Sequence, residues 1–301
     1  MKKLLLGVLA IVAMVATSCE SNLEQGVNGG ETSTVTFNVT SPELNTRVYS
    51  DGTTATHLQY AVYDAQQNIL DAFTTTNETI NLQKQVTLQL TTGNTYYVLF
   101  WAAAPGAPYI VDLENKTLEI DYTGAKCNDE TRDAFYCYKS FTVTGAINVD
   151  VELKRPFAQL NVGTNDFATS TTAGYTVKYS KVSVPSYKNL NFATGEVSNL
   201  QTVEYGFNLL PENESFPVAN YEYLAMAYVL MAADAENVDL TFSYYAKSED
   251  DQKTRAVGSV PMQRNHRTNL FGTILTSDVV FDVVIKPGYD NDDHNVVLQP
   301  L

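Results

Sequence analysis

Basic residues are scarce. The 301-residue chain carries 19 Lys and Arg against 34 Asp and Glu, a formal charge of −15, and its cations form no extended cluster. A sequence-independent grip on a phosphate backbone needs such a cluster, so nucleic acid is not an expected partner. Histidine is equally sparse: His57, His266 and His294 lie far apart. No HExxH pair, nucleophile elbow or phosphate-cradling glycine loop occurs, and no serine sits in a recognisable catalytic frame. The expectation is a protein that is not an enzyme, with no cofactor and no metal. No apolar run reaches the ~20 residues that a membrane-spanning helix needs. What is present is threonine, valine and tyrosine in quantity, which favours strands. Hydrophobic residues make up 44% and charged residues 18%, the balance of a folded chain rather than a disordered one.

The N-terminus reads as a sorting signal. Lys2 and Lys3 precede an apolar core from Leu4 to Ala16, and Ala16-Thr17-Ser18 lead directly into Cys19. This resembles a bacterial lipobox, in which the cysteine is acylated and becomes the mature N-terminus; the pattern prefers leucine where Ala16 stands. The plainer alternative is an ordinary cleaved signal beside a chance cysteine. With Lys2 and Lys3 removed, 17 basic residues face 34 acidic ones. Cys127 and Cys137, which bracket CNDETRDAFYC, remain as thiols. Their spacing fits neither a zinc knuckle nor a redox CxxC motif, and leaves open a structural disulfide or two buried thiols.

Beyond Cys19 the polar ESNLEQGVNGGE reads as a tether. In VTFNV, Val35, Phe37 and Val39 alternate with polar neighbours, the period of a half-buried strand. Pro42 ends it, and Arg47 follows before the Asp51-Gly52 turn pair. Further strand-like runs cover 58–64, 85–90, 95–104, 146–154, 155–164, 175–184, 221–231, 238–246, 256–262, 267–276 and 279–285. The cleanest alternation is AINVDVELK, with Ile147, Val149, Val151 and Leu153 on one side. YLAMAYVLM is too short for a bilayer and reads as a strand buried on both faces. NDETRDAFY can form one or two helical turns. The Thr-, Ser- and Gly-rich segment 164–174 suggests a domain boundary. Many short strands separated by turns imply β-sandwich domains.

Asp290, Asp292 and Asp293 lack the glycine and terminal glutamate of an EF-hand loop and read as a solvated turn. Glu249, Asp250 and Asp251 read as a hairpin tip. Trp101 and most tyrosines sit at strand periodicity, where packing is the default role, although aromatic faces also suit sugar.

Several segments together resemble the fimbrillin-like lipoproteins of Bacteroidales, the type V pilins: the lipobox-like cysteine, NTRVYSDG, THLQYAVYD, KRPFAQLNVGT and RNHRTNLFGTILTSDVVFDVVIKPGY. RPFAQLNVG and HRTNLFGTILT are the more specific. The resemblance implies an all-β chain of two tandem β-sandwich domains, transthyretin-like with Greek-key topology and short helical turns. It divides the chain into a signal peptide (1–19), a removed propeptide of tether and first strand (20–47), an N-terminal sandwich (48–166) and a C-terminal sandwich (167–301). It further implies palmitate or related lipid on Cys19 and cleavage by a trypsin-like protease between Arg47 and Val48. Val35, Phe37 and Val39 would leave with the displaced strand. A donor strand from another pilin subunit would replace them, with Val279, Phe281, Val283, Ile285, Val296 and Leu298 as candidates. The setting would be the outer membrane and then a cell-surface fimbrium that contributes to adhesion. Two alternatives keep the lipid and the first strand: an anchor subunit of the same system, and a monomeric surface lipoprotein that binds glycan or a host protein. An uncleaved, solvated Arg47 fits both.

Overall fold

The computed structural model describes residues 30–41, 51–212 and 215–276, and the backbone of 282–286. The strands of the first half are β1 (Thr32–Thr40), β2 (His57–Tyr63), β3 (Thr75–Thr79), β4 (Gln83–Thr91), β5 (Thr95–Ala103), β6 (Tyr109–Asp112), β7 (Thr117–Ile120), β8 (Ala134–Thr142) and β9 (Ile147–Glu152). Those of the second are β10 (Phe157–Thr164), β11 (Tyr179–Asn191), β12 (Val197–Leu209), β13 (Glu222–Leu230), β14 (Glu236–Tyr245), β15 (Lys253–Met262), β16 (Arg267–Gly272) and β17 (Asp282–Lys286). The helix α1 (Phe167–Thr172) and three short 3-10 turns complete the described elements. The architecture is all-β, two sandwiches in tandem.

In the first sandwich the sheet β4-β1-β9 faces the sheet β3-β2-β5-β8. Alternate residues of both meet in one core that includes Val35, Phe37, Val86, Leu88, Phe100, Phe135 and Val151. In the second, β13-β10-β16-β17 faces β15-β14-β11-β7-β6, and β12 lies along the other side of β11. Ala158, Leu160 and Val162 point into that core with Val182, Leu240 and Phe242. The opposite faces of β5 and β13 are apolar too, and they meet between the sandwiches, where Leu99 and Trp101 pack with Met226, Tyr228 and Leu230 and with Phe157 at the start of β10; the rest of that face of β10 is polar, with Gln159 and Asn161 buried. This explains why YLAMAYVLM reads as continuously apolar: β13 is buried from Tyr223 to Leu230 because each of its faces belongs to a different core.

Two segments depart from a division near residue 166. The strand β10 pairs with β13 and β16, so the chain enters the second sandwich at Pro156 rather than after Asp166. The hairpin β6–β7 comes from the first half, yet β7 pairs with β11 of the second. Residues 164–174, which look like a linker in composition, hold the end of β10 at Thr164 and the helix α1 over Phe167–Thr172. Polar composition marks exposure, and here it marks an exposed single turn and a half rather than a joint between bodies.

Candidate functional site

The first strand of the chain occupies the centre of its sheet. Along one edge β1 runs antiparallel to β4, from Thr32 opposite Thr91 to Thr40 opposite Gln83. Along the other it runs parallel to β9, from Val35 opposite Ile147 to Thr40 opposite Glu152. Its inward residues, Val35, Phe37 and Val39, are at most 1% exposed. Phe37 stands edge-on to Phe100 and Phe141, with ring centroids 5.5 and 5.1 Å away. Full burial of such side chains contributes roughly 1.5–3 kcal/mol each, on the order of 5–9 kcal/mol for the three. That is comparable to the whole stability of an ordinary domain.

The outward face is specified as closely. Gln89 Nε2 donates to Thr34 Oγ1 at 2.9 Å, Asn38 Nδ2 to Asp150 Oδ1 at 2.9 Å, and Gln85 Nε2 to Asn38 Oδ1 at 3.1 Å. Sliding β1 by one residue would turn Val35, Phe37 and Val39 out to solvent and break these side-chain bonds. Removing β1 altogether would leave β4 and β9 about 10 Å apart, twice the strand spacing, with a full row of unpaired N–H and C=O groups on each. Burial on one face and side-chain bonds on the other therefore fix β1 in one register.

The remaining residues singled out from sequence are placed as follows. Cys19, Arg47, Val48, Val279, Phe281, Val296 and Leu298 lie outside the described residues. Val283 and Ile285 lie in β17, whose backbone pairs antiparallel with β16, Val283 opposite Leu270 and Ile285 opposite Thr268. Cys127 and Cys137 are both free thiols. The disulfide considered for them is not formed because they belong to different cores: Cys127 is packed in the second sandwich, and Cys137, on β8, packs against the first. Burial pushes the Cys127 thiol up to about 12 and raises Cys137 as well. The acidic run 249–251 is a 3-10 turn closed by a capping box from Ser248. Among the described residues no group of three or more His, Cys, Asp or Glu is arranged to hold a metal.

Two polar features escape a reading of the sequence. Asp133 and Arg155 form a bidentate ion pair, Nε to Oδ1 and Nη2 to Oδ2 both 2.7 Å, with both side chains fully buried. The guanidinium also lies 4.4 Å from the centre of the Phe135 ring. Burial pushes the Asp133 carboxyl up and Arg155 draws it back. The pair ties the start of β8 to the crossover into β10. The second feature is Asp166, which accepts from the backbone N–H groups of Leu275 and Thr276 at 3.0 and 2.8 Å and from Thr276 Oγ1 at 2.7 Å. Thr164 donates to it as well. Burial works against its charge, but these hydrogen bonds outweigh burial and hold its carboxyl below the usual carboxylate range. Asp166 thereby fastens the end of the segment that leads to β17. The two sequence motifs RPFAQLNVG and HRTNLFGTILT prove to be parallel neighbours, β10 and β16, joined in their middle by Asn161 Nδ2 donating to Asn269 Oδ1 at 2.8 Å.

A family model described as a family of unknown function (DUF6562) matches residues 25–299. The chain belongs to that family. No curated protein sequence matches this DUF6562 chain. Several solved structures do. A candidate adhesin from Bacteroides thetaiotaomicron aligns with a TM-score of 0.51 at 11% identity, over 86% of this chain and 97% of its own. A candidate cell adhesion protein from Bacteroides ovatus gives 0.50 at 12% identity, over 89% and 99%. A candidate polysaccharide-binding protein from Bacteroides thetaiotaomicron gives 0.50 at 13%, over 88% and 98%. At such identities the likeness is one of fold. It is the fold that the fimbrillin-like resemblance implied, and it spans nearly the whole of each chain.

Proposed function

We propose that this DUF6562 chain is a structural subunit of a cell-surface fimbrium, matured by cleavage between Arg47 and Val48 and joined to other pilin subunits by strand exchange. The observation that carries this reading is the position of β1. A strand contributed by the extreme N-terminal part of the fold fills the middle of a sheet, and Arg47 follows it six residues after Ser41. A cut by a trypsin-like protease after Arg47 would release that strand with the tether and the lipid on Cys19. A slot would then open that a strand with alternating apolar residues can refill. The names carried by proteins of the same fold, adhesins and cell adhesion proteins, support a surface role.

In the same scheme the chain travels to the outer membrane as a lipoprotein, and the C-terminal alternating residues supply the donor strand to a neighbour. A second reading has its own support. An anchor subunit keeps both lipid and first strand, and β1 is fully seated in the uncut chain.

N-terminal sequencing of surface-extracted protein separates the two. The subunit reading expects Val48 as the first residue, and material blocked at an acylated Cys19 would overturn it in favour of the anchor. Arg47→Ala should leave export intact and abolish detergent-resistant polymers. Normal polymers from that variant would remove Arg47 from the scheme.

A further inference from the structure

Most sheet edges in this protein are defended against pairing with another chain. The edge strand β15 carries Lys253, Arg255 and Pro261 and is irregular in register, and β3 and β6 are only 5 and 4 residues long. Lys84 lies on β4, and Asp150 and Glu152 on β9. The edge of β13 is occupied by Asn128, whose N–H donates to Met226 O and whose Oδ1 accepts from Met226 N. The 13-residue strand β12 differs. It pairs with β11 along its length, and among the described residues its outer edge is met only from Gly206 onward, through a bridge to Lys126 and hydrogen bonds to Ala125, Cys127 and Asn128. From Val197 to Glu204 no described strand pairs with that outer edge. Ser198 to Thr202 are all exposed, and Leu200 is 56% exposed. Up to Val203 the run contains no charge and no proline.

The sequence of that open run is chemically self-mirrored. Reading outward from Leu200 in both directions, Asn199 matches Gln201, Ser198 matches Thr202, and Val197 matches Val203. In an antiparallel pair related by a two-fold axis through Leu200, residue 200 + k of one chain faces 200 − k of the other. Each amide then faces an amide, each hydroxyl a hydroxyl, and each valine a valine. Such matched pairs stabilise adjoining strands, and an isologous contact requires this self-complementarity. Asn199 is the one irregular residue, with φ 59, and its amide donates to Asn189 Oδ1 at 2.6 Å. The charge distribution points the same way. A two-fold contact that brings acidic residues together is disfavoured in a chain with 34 Asp and Glu against 19 Lys and Arg. The run 197–203 contains none. Glu196 and Glu204 face each other just beyond it, with Glu204 held by Lys181 Nζ at 3.1 Å.

We infer that the outer edge of β12 binds a second copy of this chain, antiparallel and in register about Leu200, so that the β12 sheets of two subunits become continuous. This pairing is lateral and involves neither β1 nor the C-terminal segment, so it stands or falls independently of cleavage and strand exchange.

Cysteine cross-linking on the uncleaved chain tests the register. Directly opposed residues of an antiparallel pair have Cα atoms about 4.5–5.5 Å apart, within disulfide range, whereas residues offset by two positions lie about 8 Å apart, outside it. Leu200→Cys should form a covalent dimer under mild oxidation at least tenfold faster than Gln201→Cys, each measured against the unsubstituted chain with its free Cys127 and Cys137. Equal rates for the two, or no dimer from Leu200→Cys, would overturn the pairing. Leu200→Lys, which sets two ammonium groups face to face on the axis, should sediment at half the mass of the unsubstituted uncleaved chain. A monomeric unsubstituted chain would refute the proposal whatever the cross-linking yields.

Discussion

Phe37→Ala probes whether β1 is held as a core strand. Phe37 is fully buried, lies between Val86 on β4 and Val149 on β9, and meets two phenylalanine rings edge-on. Truncating a buried phenylalanine removes its transfer free energy and leaves a cavity, together about 3–5 kcal/mol. Each edge-to-face ring pair adds about 0.5–1.5 kcal/mol beyond area burial. With two such pairs the upper half of that range applies, about 4–5 kcal/mol. At a urea slope of about 3 kcal/mol per molar, the midpoint of the first sandwich should fall by more than 1 M. The assay is urea unfolding of the uncleaved chain, with hydrogen exchange of β4 and β9 amides locating the loss in that sandwich. Thr36→Ala, on the outward face of the same strand, is the control and should move the midpoint little, within about 0.5 kcal/mol. A Phe37→Ala cost below about 1 kcal/mol, or one equal to that of Thr36→Ala, would refute the picture of a specifically seated strand.

Three further perturbations have defined outcomes. Asp133→Ala removes the carboxylate that meets the fully buried Arg155 guanidinium through two hydrogen bonds and should cost about 3–5 kcal/mol in chemical denaturation, the usual effect of deleting one partner of a buried pair. Gly163→Ala places a methyl 2.6 Å from the Phe216 ring and should destabilise by about 1–3 kcal/mol, with Phe216→Leu in the same chain recovering part of it. Asp166→Asn tests linkage. Because the Asp166 carboxyl is held below its ordinary range, the stabilisation it supplies is present at neutral pH and is lost as pH falls below about 4 through its folded-state value. The Tm difference between wild type and variant should be largest near pH 7 and shrink in acid; a difference constant with pH would contradict this.

Legibility from sequence followed burial. The strands β1, β9 and β13 are readable because their apolar residues follow the face each one buries: one face for β1 and β9, both for β13. β12 is not readable, since Ser198 to Thr202 are exposed on both faces and carry no period. β8 is hidden for another reason: its start coincides with NDETRDAFY, whose helical signal is real but ends at the 3-10 turn Glu130–Arg132. The same applies at the site. The inward residues of β1 announce themselves, but their partners do not, because β9 lies more than 100 residues away and only the fold brings it alongside. Asp133 and Arg155 are 22 positions apart in sequence, and only the fold brings them together as a fully buried ion pair. The two cysteines show the converse: near in sequence, they face separate interiors.

The pairing of β1 with β9 carries a temporal consequence. Synthesis delivers the N-terminus first, yet the parallel edge of β1 has no neighbour until residues 147–152 have emerged. For most of the time the first sandwich is being made, its earliest segment waits beside an incomplete cleft, and any extended chain that reaches the cleft sooner competes for it. A nascent copy should thus be most receptive to foreign strands before its own ninth strand arrives, and a chaperone that shields the cleft in that interval would raise the yield of self-completed molecules.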